Sequence, residues 1–184
     1  MSRQMGQSQS YRIPSARLRS LNYDEGGYYF VTACVQNWFC VFGTIEHSQM
    51  KLSALGKIVQ SAWIDVPNHH DGVELDEFVV MPNHMHGILH LPHKDVRLNP
   101  PRQNLFASPA SGTLGSIMRS FKSAVTKSSN ENNYSFHWQP RFWDHVIRNN
   151  AALLSIREYI WQNPVNWAWD SRNPAVAHLY EHSW

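Results

Sequence analysis

The sequence has little that could tie a small chain together from outside: its 184 residues include only two cysteines, Cys34 and Cys40. Both stand in apolar, strand-like sequence, so neither a disulfide framework nor a cysteine zinc site is expected. There is no N-terminal apolar segment of the secretory kind and no run of about 18 apolar residues that could span a bilayer. No membrane partner is expected, and the chain reads as cytoplasmic. The H-E-x-x-H pattern of zinc hydrolases is missing, and no internal repeat is visible. Charged residues make up only 16%, with a formal net charge of +2.

That small net charge hides a segregated one. Residues 1–22 carry Arg3, Arg12, Arg17 and Arg19 and no acid, whereas Asp65, Asp71, Glu74, Asp76 and Glu77 form a stretch without Lys or Arg. Residues 112–150 carry Arg119, Lys122, Lys127, Arg141 and Arg148 against Glu131 and Asp144. Segregated positive charge suits a polyanion binder, although chance clustering on a solvated surface gives the same picture. Hydrophobic residues reach 42%, with eight Trp and eight Phe, enough for one globular core. Three parts are expected: a basic arm over 1–22, one domain over 23–168, and a Trp-rich tail over 169–184.

The periodicities place the elements. Tyr28 to Val35 is rich in β-branched and aromatic residues and reads as a strand, and short strands follow over 39–45 and 49–52. Ser53 can cap a helix carrying Leu55, Ile58, Val59, Ala62 and Trp63. Two strands, 75–81 and 84–91, flank the turn at Pro82-Asn83. Proline-rich residues 93–111 read as a long loop. Leu114, Ile117, Met118, Phe121 and Val125 form a helical stripe, with Arg119 and Lys122 off it. A short strand over 142–147 precedes a helix capped by Asn149 or Asn150 and stopped before Pro164. This order predicts an α+β fold, a ferredoxin-like or RRM-like sandwich of antiparallel sheet with helices on one face. Such a fold does not by itself name a function.

Chemistry enters at His84 and His86. Residues i and i+2 of a strand project from one face, so two imidazoles can approach one ion together while Met85 points the other way. With 11 histidines in the chain, such a pair also arises by chance. Tyr159 and Asn163 lie i and i+4 on a helix and share a face. An Asn carbonyl oxygen is a hard ligand suited to Mg²⁺ or Mn²⁺. Taken singly, a Tyr near a helix end is also a packing residue, and an Asn before Pro is also a stop signal.

Two ordered blocks resolve the ambiguity by resemblance. Met81-Pro82-Asn83-His84-Met85-His86-Gly87-Ile88 resembles the histidine-hydrophobic-histidine (HUH) motif of single-tyrosine transposases. The block from Trp138 to Asn149, followed by Tyr159-Ile160-x-x-Asn163-Pro164, is similar to the REP-associated tyrosine transposase branch. The resemblance spans roughly residues 25–168 and includes Tyr-x-Phe-Val-Thr at its start. It implies a Tyr159 nucleophile, a divalent ion (Mg²⁺ or Mn²⁺) on His84, His86 and Asn163, and single-stranded DNA beside a hairpin as substrate. It also implies a place at the nucleoid and leaves monomer or homodimer open. Better-known relatives carry Gln where this chain has Asn163, and the Gly-Arg-Glu-Tyr signature of some REP-associated members is not visible.

Cleavage by Tyr159 would leave a 5′-phosphotyrosine and a free 3′-hydroxyl, conserving the bond energy for rejoining. Arg119, Lys122, Arg141 and Arg148 are candidate DNA-backbone contacts, and Asp144 and His145 candidate supports of the site. Three alternatives remain: a non-catalytic RRM-like binding protein, a replication-initiator or relaxase-type nickase, and a phosphohydrolase using activated water.

Overall fold

The computed structural model describes residues 26–92 and 112–177. The basic arm and the proline-rich loop lie outside the described residues, as does the end of the tail. Strand β1 (Gly27–Cys34) leads through a 3₁₀ turn at Gln36–Trp38 to the hairpin β2 (Gly43–Glu46) and β3 (Gln49–Leu52). Helix α1 (Ala54–Ile64) starts where Ser53 accepts a hydrogen bond from the Gly56 amide, as its sequence predicts. A short helix α2 (Val66–His69) follows, with Pro67 in its first turn. Pro67 fits there because the first turn of a helix needs no N–H donor at that position.

Strands β4 (Glu74–Val80) and β5 (His84–Leu91) form a hairpin, then come helix α3 (Leu114–Glu131), strand β6 (Trp143–Ile147) and helix α4 (Asn150–Asn166). The main sheet runs β4-β5-β1-β6 with every neighbouring pair antiparallel. With α1 and α3 as its two crossovers, this is the ferredoxin-like arrangement, with the β2–β3 hairpin inserted after the first strand.

The pleat sorts the side chains of β1 and β5 onto two faces. Tyr29, Val31, Ala33, Met85, Leu89 and Leu91 join Leu55, Val59, Trp63 and the α3 stripe in the principal core. All five residues of that stripe, Leu114, Ile117, Met118, Phe121 and Val125, are buried. Trp63 meets Phe121 edge to face at 5.2 Å, and it lies so close to β5 that a Cβ on Gly87 would sit 2.4 Å from its Cζ2. The helix layer expected on one face is therefore α1 with α3.

Helix α4 packs on the opposite face, where Leu153 and Ile160 close a second cluster with Ile88 and Ile147. Asn149 is its cap, accepting from the Ala152 amide at 2.8 Å. Arg157 docks the helix to β4 by pairing with both oxygens of Asp76, with Nε 2.8 Å from Oδ1. Asp76 lies where the β4–β5 register shifts between Leu75 and Phe78. The helix does not stop before Pro164: it runs two residues past it into a 3₁₀ turn at Trp167–Trp169. A proline this close to a helix end removes one backbone donor from a turn already fraying, so the cost of continuing is small.

Candidate active site

The β4–β5 turn delivers the histidines. Met81 N–H donates to the His84 carbonyl, the Pro82 carbonyl accepts from Phe42 and the Asn83 carbonyl from Val35, so the turn is pinned to neighbouring backbone. In the β1–β5 register Thr32 faces His86 and Cys34 faces His84, which puts both imidazoles on the α4 side of the sheet. Both are fully buried.

Each imidazole is oriented through its Nδ1. Asn83 Nδ2 donates to the carbonyls of Trp38 and Arg172 at 3.0 and 2.7 Å. Its Oδ1 is thereby turned to His84 Nδ1, 2.8 Å away, which makes that nitrogen the protonated one and leaves Nε2 with its lone pair. Thr32 Oγ1 lies 2.7 Å from His86 Nδ1 and holds the second ring in orientation. The two Nε2 atoms face each other at 3.1 Å. Burial is the main reason both rings resist protonation: His84 is lowered to about 3 and His86 falls well below the usual histidine range. The positive charge of Arg172 pushes both in the same direction, and that of His84 adds to the effect on His86.

Helix α4 brings up the other two predicted residues. Tyr159 places its hydroxyl 3.3 Å from His86 Nε2. Phe30 stacks on His86 at 5.2 Å and meets the Tyr159 ring edge on at 6.0 Å, holding both. Tyr159 is 44% exposed, open to a substrate from outside. Asn163 is buried one turn later; its Nδ2 donates to the Tyr159 carbonyl at 2.8 Å, and its side chain also hydrogen-bonds His84.

Two neutral imidazole nitrogens facing each other, with the Asn163 amide beside them, are a donor set that would suit a divalent cation. Two nitrogens each about 2.1 Å from one ion can stand 3.1 Å apart. Among the described residues no three His, Cys, Asp or Glu side chains group as a metal site; a third donor beside the two histidines would be a side chain of another type, and Asn163 is the amide placed there.

The other predicted residues are not gathered here. Arg119 is exposed on α3, across the sheet from the histidines. Lys122 is committed to the protein: its ammonium donates to the carbonyls of Gln139 and Arg141 at 2.7 and 2.8 Å and lies over the Trp138 ring. Burial lowers its pKa to about 8. Arg141 is exposed in the segment before β6, close to where Gln139 N–H meets the Cys34 carbonyl, and so at the histidine end of the sheet. Arg148 is exposed past the opposite end of β6. Asp144 pairs with Val31 and faces the α1–α3 layer, so it does not support the histidines; His145 pairs with Phe30 on the histidine face and is exposed.

The supports are instead Thr32, Asn83 and Phe30, with Asp170 and Arg172 close by. Phe30 and Thr32 belong to the Tyr-x-Phe-Val-Thr run, and Asn83 sits inside the HUH block, so both had a signal. Asp170 and Arg172 fall in the stretch read as a tail and had none.

No family model matches the chain. An uncharacterized protein of Haemophilus influenzae is 40% identical over 162 residues, covering 85% of this chain and 90% of that protein. A REP-associated tyrosine transposase of Escherichia coli is 30% identical over 147 residues, covering 80% of this chain and 72% of that protein. A solved structure of a REP-associated tyrosine transposase bound to a REP hairpin superposes with a TM-score of 0.56 at 25% identity, covering 91% of this chain and 77% of that one. Likeness in sequence over most of both chains, and in fold, establishes that this chain belongs to the family of REP-associated tyrosine transposases.

Proposed function

We propose that this transposase cleaves and rejoins single-stranded DNA beside a hairpin through a covalent bond to Tyr159, with a divalent cation, Mg²⁺ or Mn²⁺, held by His84, His86 and Asn163. One observation carries the reading: the Tyr159 hydroxyl stands 3.3 Å from His86 Nε2, at the point where the two imidazoles face each other. The hairpin is suggested by the solved relative, which is bound to one.

A phenol is a weak nucleophile near neutral pH, its ordinary pKa being about 10. The bound ion would supply charge stabilisation at the scissile phosphate. The protein's own part is positional. Phe30 and His86 hold the Tyr159 ring, and the turn of α4 between Tyr159 and Asn163 ties nucleophile to ligand. The phenol oxygen bonds to phosphorus as the bond to O3′ breaks. The phenol proton leaves to solvent and the departing 3′-oxygen takes one from it. The phosphodiester energy stays in the phosphotyrosine, so a 3′-hydroxyl can reverse the step without ATP.

Arg141 is the proposed DNA-backbone contact nearest the site, and Arg119 and Arg148 would engage DNA farther away. Lys122 has one donor left for this role after its two carbonyls. A DNA substrate would place its function in the cytoplasm at the nucleoid, and both a monomer and a homodimer fit the reading. The test is a denaturing gel with an oligonucleotide bearing a hairpin and a single-stranded flank. A labelled band that migrates with the protein, needs Mn²⁺ and disappears with chelator is expected. Cleavage products with no protein attached would point to water as the nucleophile instead.

A further inference from the structure

The donor set proposed for the ion is electrically neutral: two neutral imidazoles and one amide. A hard divalent cation in a buried site is ordinarily held with at least one carboxylate. The described residues place a single carboxylate beside the pair. Asp170, in the turn after α4, has its Oδ2 3.9 Å from His84 Nε2, and its side chain is only 12% exposed. His84, His86 and Asp170 do not group as direct ligands of one ion, and from this spacing a carboxylate reaches an ion on the histidines through a bridging water.

The turn is built to hold that carboxylate in place. Asp170 Oδ1 accepts from the Arg172 amide at 2.8 Å and lies 3.7 Å from the Arg172 guanidinium, which leaves Oδ2 facing the histidine. The Arg172 carbonyl is in turn held by Asn83 Nδ2 at 2.7 Å, the same side chain that orients His84. Trp167, one turn earlier, lies against the His84 ring at 6.1 Å, and Asn173 Nδ2 donates to the Trp167 carbonyl at 3.0 Å. The segment after the tyrosine helix therefore closes on the histidines through side-chain and backbone contacts rather than hanging free as a tail.

We propose that Asp170 is the anionic partner of the metal site, compensating the charge of the cation through a water bound to the ion. The proposal rests on the metal-site reading above. A purely structural alternative makes Asp170 only the partner of Arg172, and the two differ in what removal of the charge does.

The experiment is Mn²⁺ titration of the full chain by isothermal calorimetry, with free Mn²⁺ followed in parallel by electron paramagnetic resonance. The proteins are wild type, Asp170→Asn, Asp170→Glu and His84→Ala. Asp170→Asn keeps an oxygen for the Arg172 amide and removes the charge. A loss of Mn²⁺ affinity of about 10- to 100-fold is expected, with the melting temperature of the metal-free protein near that of wild type and affinity largely restored in Asp170→Glu. Should Asp170→Asn not fold, Asp170→Ser, whose hydroxyl can also accept from the Arg172 amide, carries the same measurement. Unchanged Mn²⁺ affinity in the charge-removed variant, with affinity still lost in His84→Ala, overturns the role of Asp170 alone. Wild type with no His84-dependent Mn²⁺ binding overturns the metal site itself.

Discussion

Asn83 Oδ1 lies 2.8 Å from His84 Nδ1, while the amide nitrogen of the same side chain bridges two backbone carbonyls 89 and 45 residues away in sequence. One buried side chain therefore sets the tautomer of a candidate metal ligand and clamps the turn after α4 to the sheet. Asn83→Ala removes the acceptor and orphans both carbonyls. Calorimetric Mn²⁺ affinity is expected to fall by about 10- to 100-fold, and urea denaturation to show a loss of about 1–3 kcal/mol. An affinity equal to wild type would mean that His84 needs no partner at Nδ1.

The histidine pair also predicts an acid-sensitive fold. In the folded chain both rings are held neutral by burial, His84 down to about 3, while in the unfolded chain each titrates near 6.5. Below 6.5 the unfolded state binds protons that the folded state refuses, so stability is full above that pH and declines as pH falls from 6.5 toward 3. The slope can reach about 1.4 kcal/mol per pH unit for each histidine. Urea midpoints of the metal-free protein at pH 7.5, 6.0 and 5.0 should fall steadily for wild type. They should fall less for the His84→Gln/His86→Gln variant.

The Gly87 position is fixed by packing rather than by chemistry. A methyl group there would sit 2.4 Å from Trp63 Cζ2 and 2.9 Å from Cε2, against a ring that is wholly buried. Gly87→Ala should cost about 1–3 kcal/mol through displacement of Trp63 or β5, read as a lower melting temperature and altered tryptophan fluorescence. A variant as stable as wild type would show that the α1–β5 contact yields more easily than its spacing suggests.

Much of this site is readable from local pattern. The period-two alternation of β5 puts His84 and His86 on one face and Met85 in the core. Ser53 and Asn149 announce the helix starts they form. Pro164 misleads because a terminal turn tolerates what a helix interior does not. Thr32, 54 residues from His86, becomes a partner only through the β1–β5 register. Asp144 lands on the wrong face for the same reason, since one step of register decides which side a strand residue serves. The basic residues are the least legible, because where Arg119 and Arg148 point depends on the order of strands and on which face each helix covers.

Asp76 and Arg157 join β4 to the helix that carries both Tyr159 and Asn163. The Arg157 guanidinium beside it holds the Asp76 carboxyl below its ordinary range. This contribution is present above the ordinary aspartate pKa and is lost as pH falls through the lowered one. Asp76→Asn should destabilise the fold by roughly 1 kcal/mol, the pair being partly solvent-screened. It should also slow adduct formation at constant protein concentration, since α4 is less firmly docked. Unaltered stability together with unaltered adduct rate would show that the hydrophobic contacts of Leu153 and Ile160 suffice to position the helix.

The most direct measurement of the central claim is mass spectrometry of the protease-digested adduct formed in Mn²⁺ with a hairpin-flanked oligonucleotide. The peptide carrying the nucleotide should be the one that contains Tyr159, and Tyr159→Phe should give no adduct while still binding the DNA in a gel-shift assay. An adduct mapped to another residue, or one that persists in Tyr159→Phe, would contradict the assignment of Tyr159 as the nucleophile.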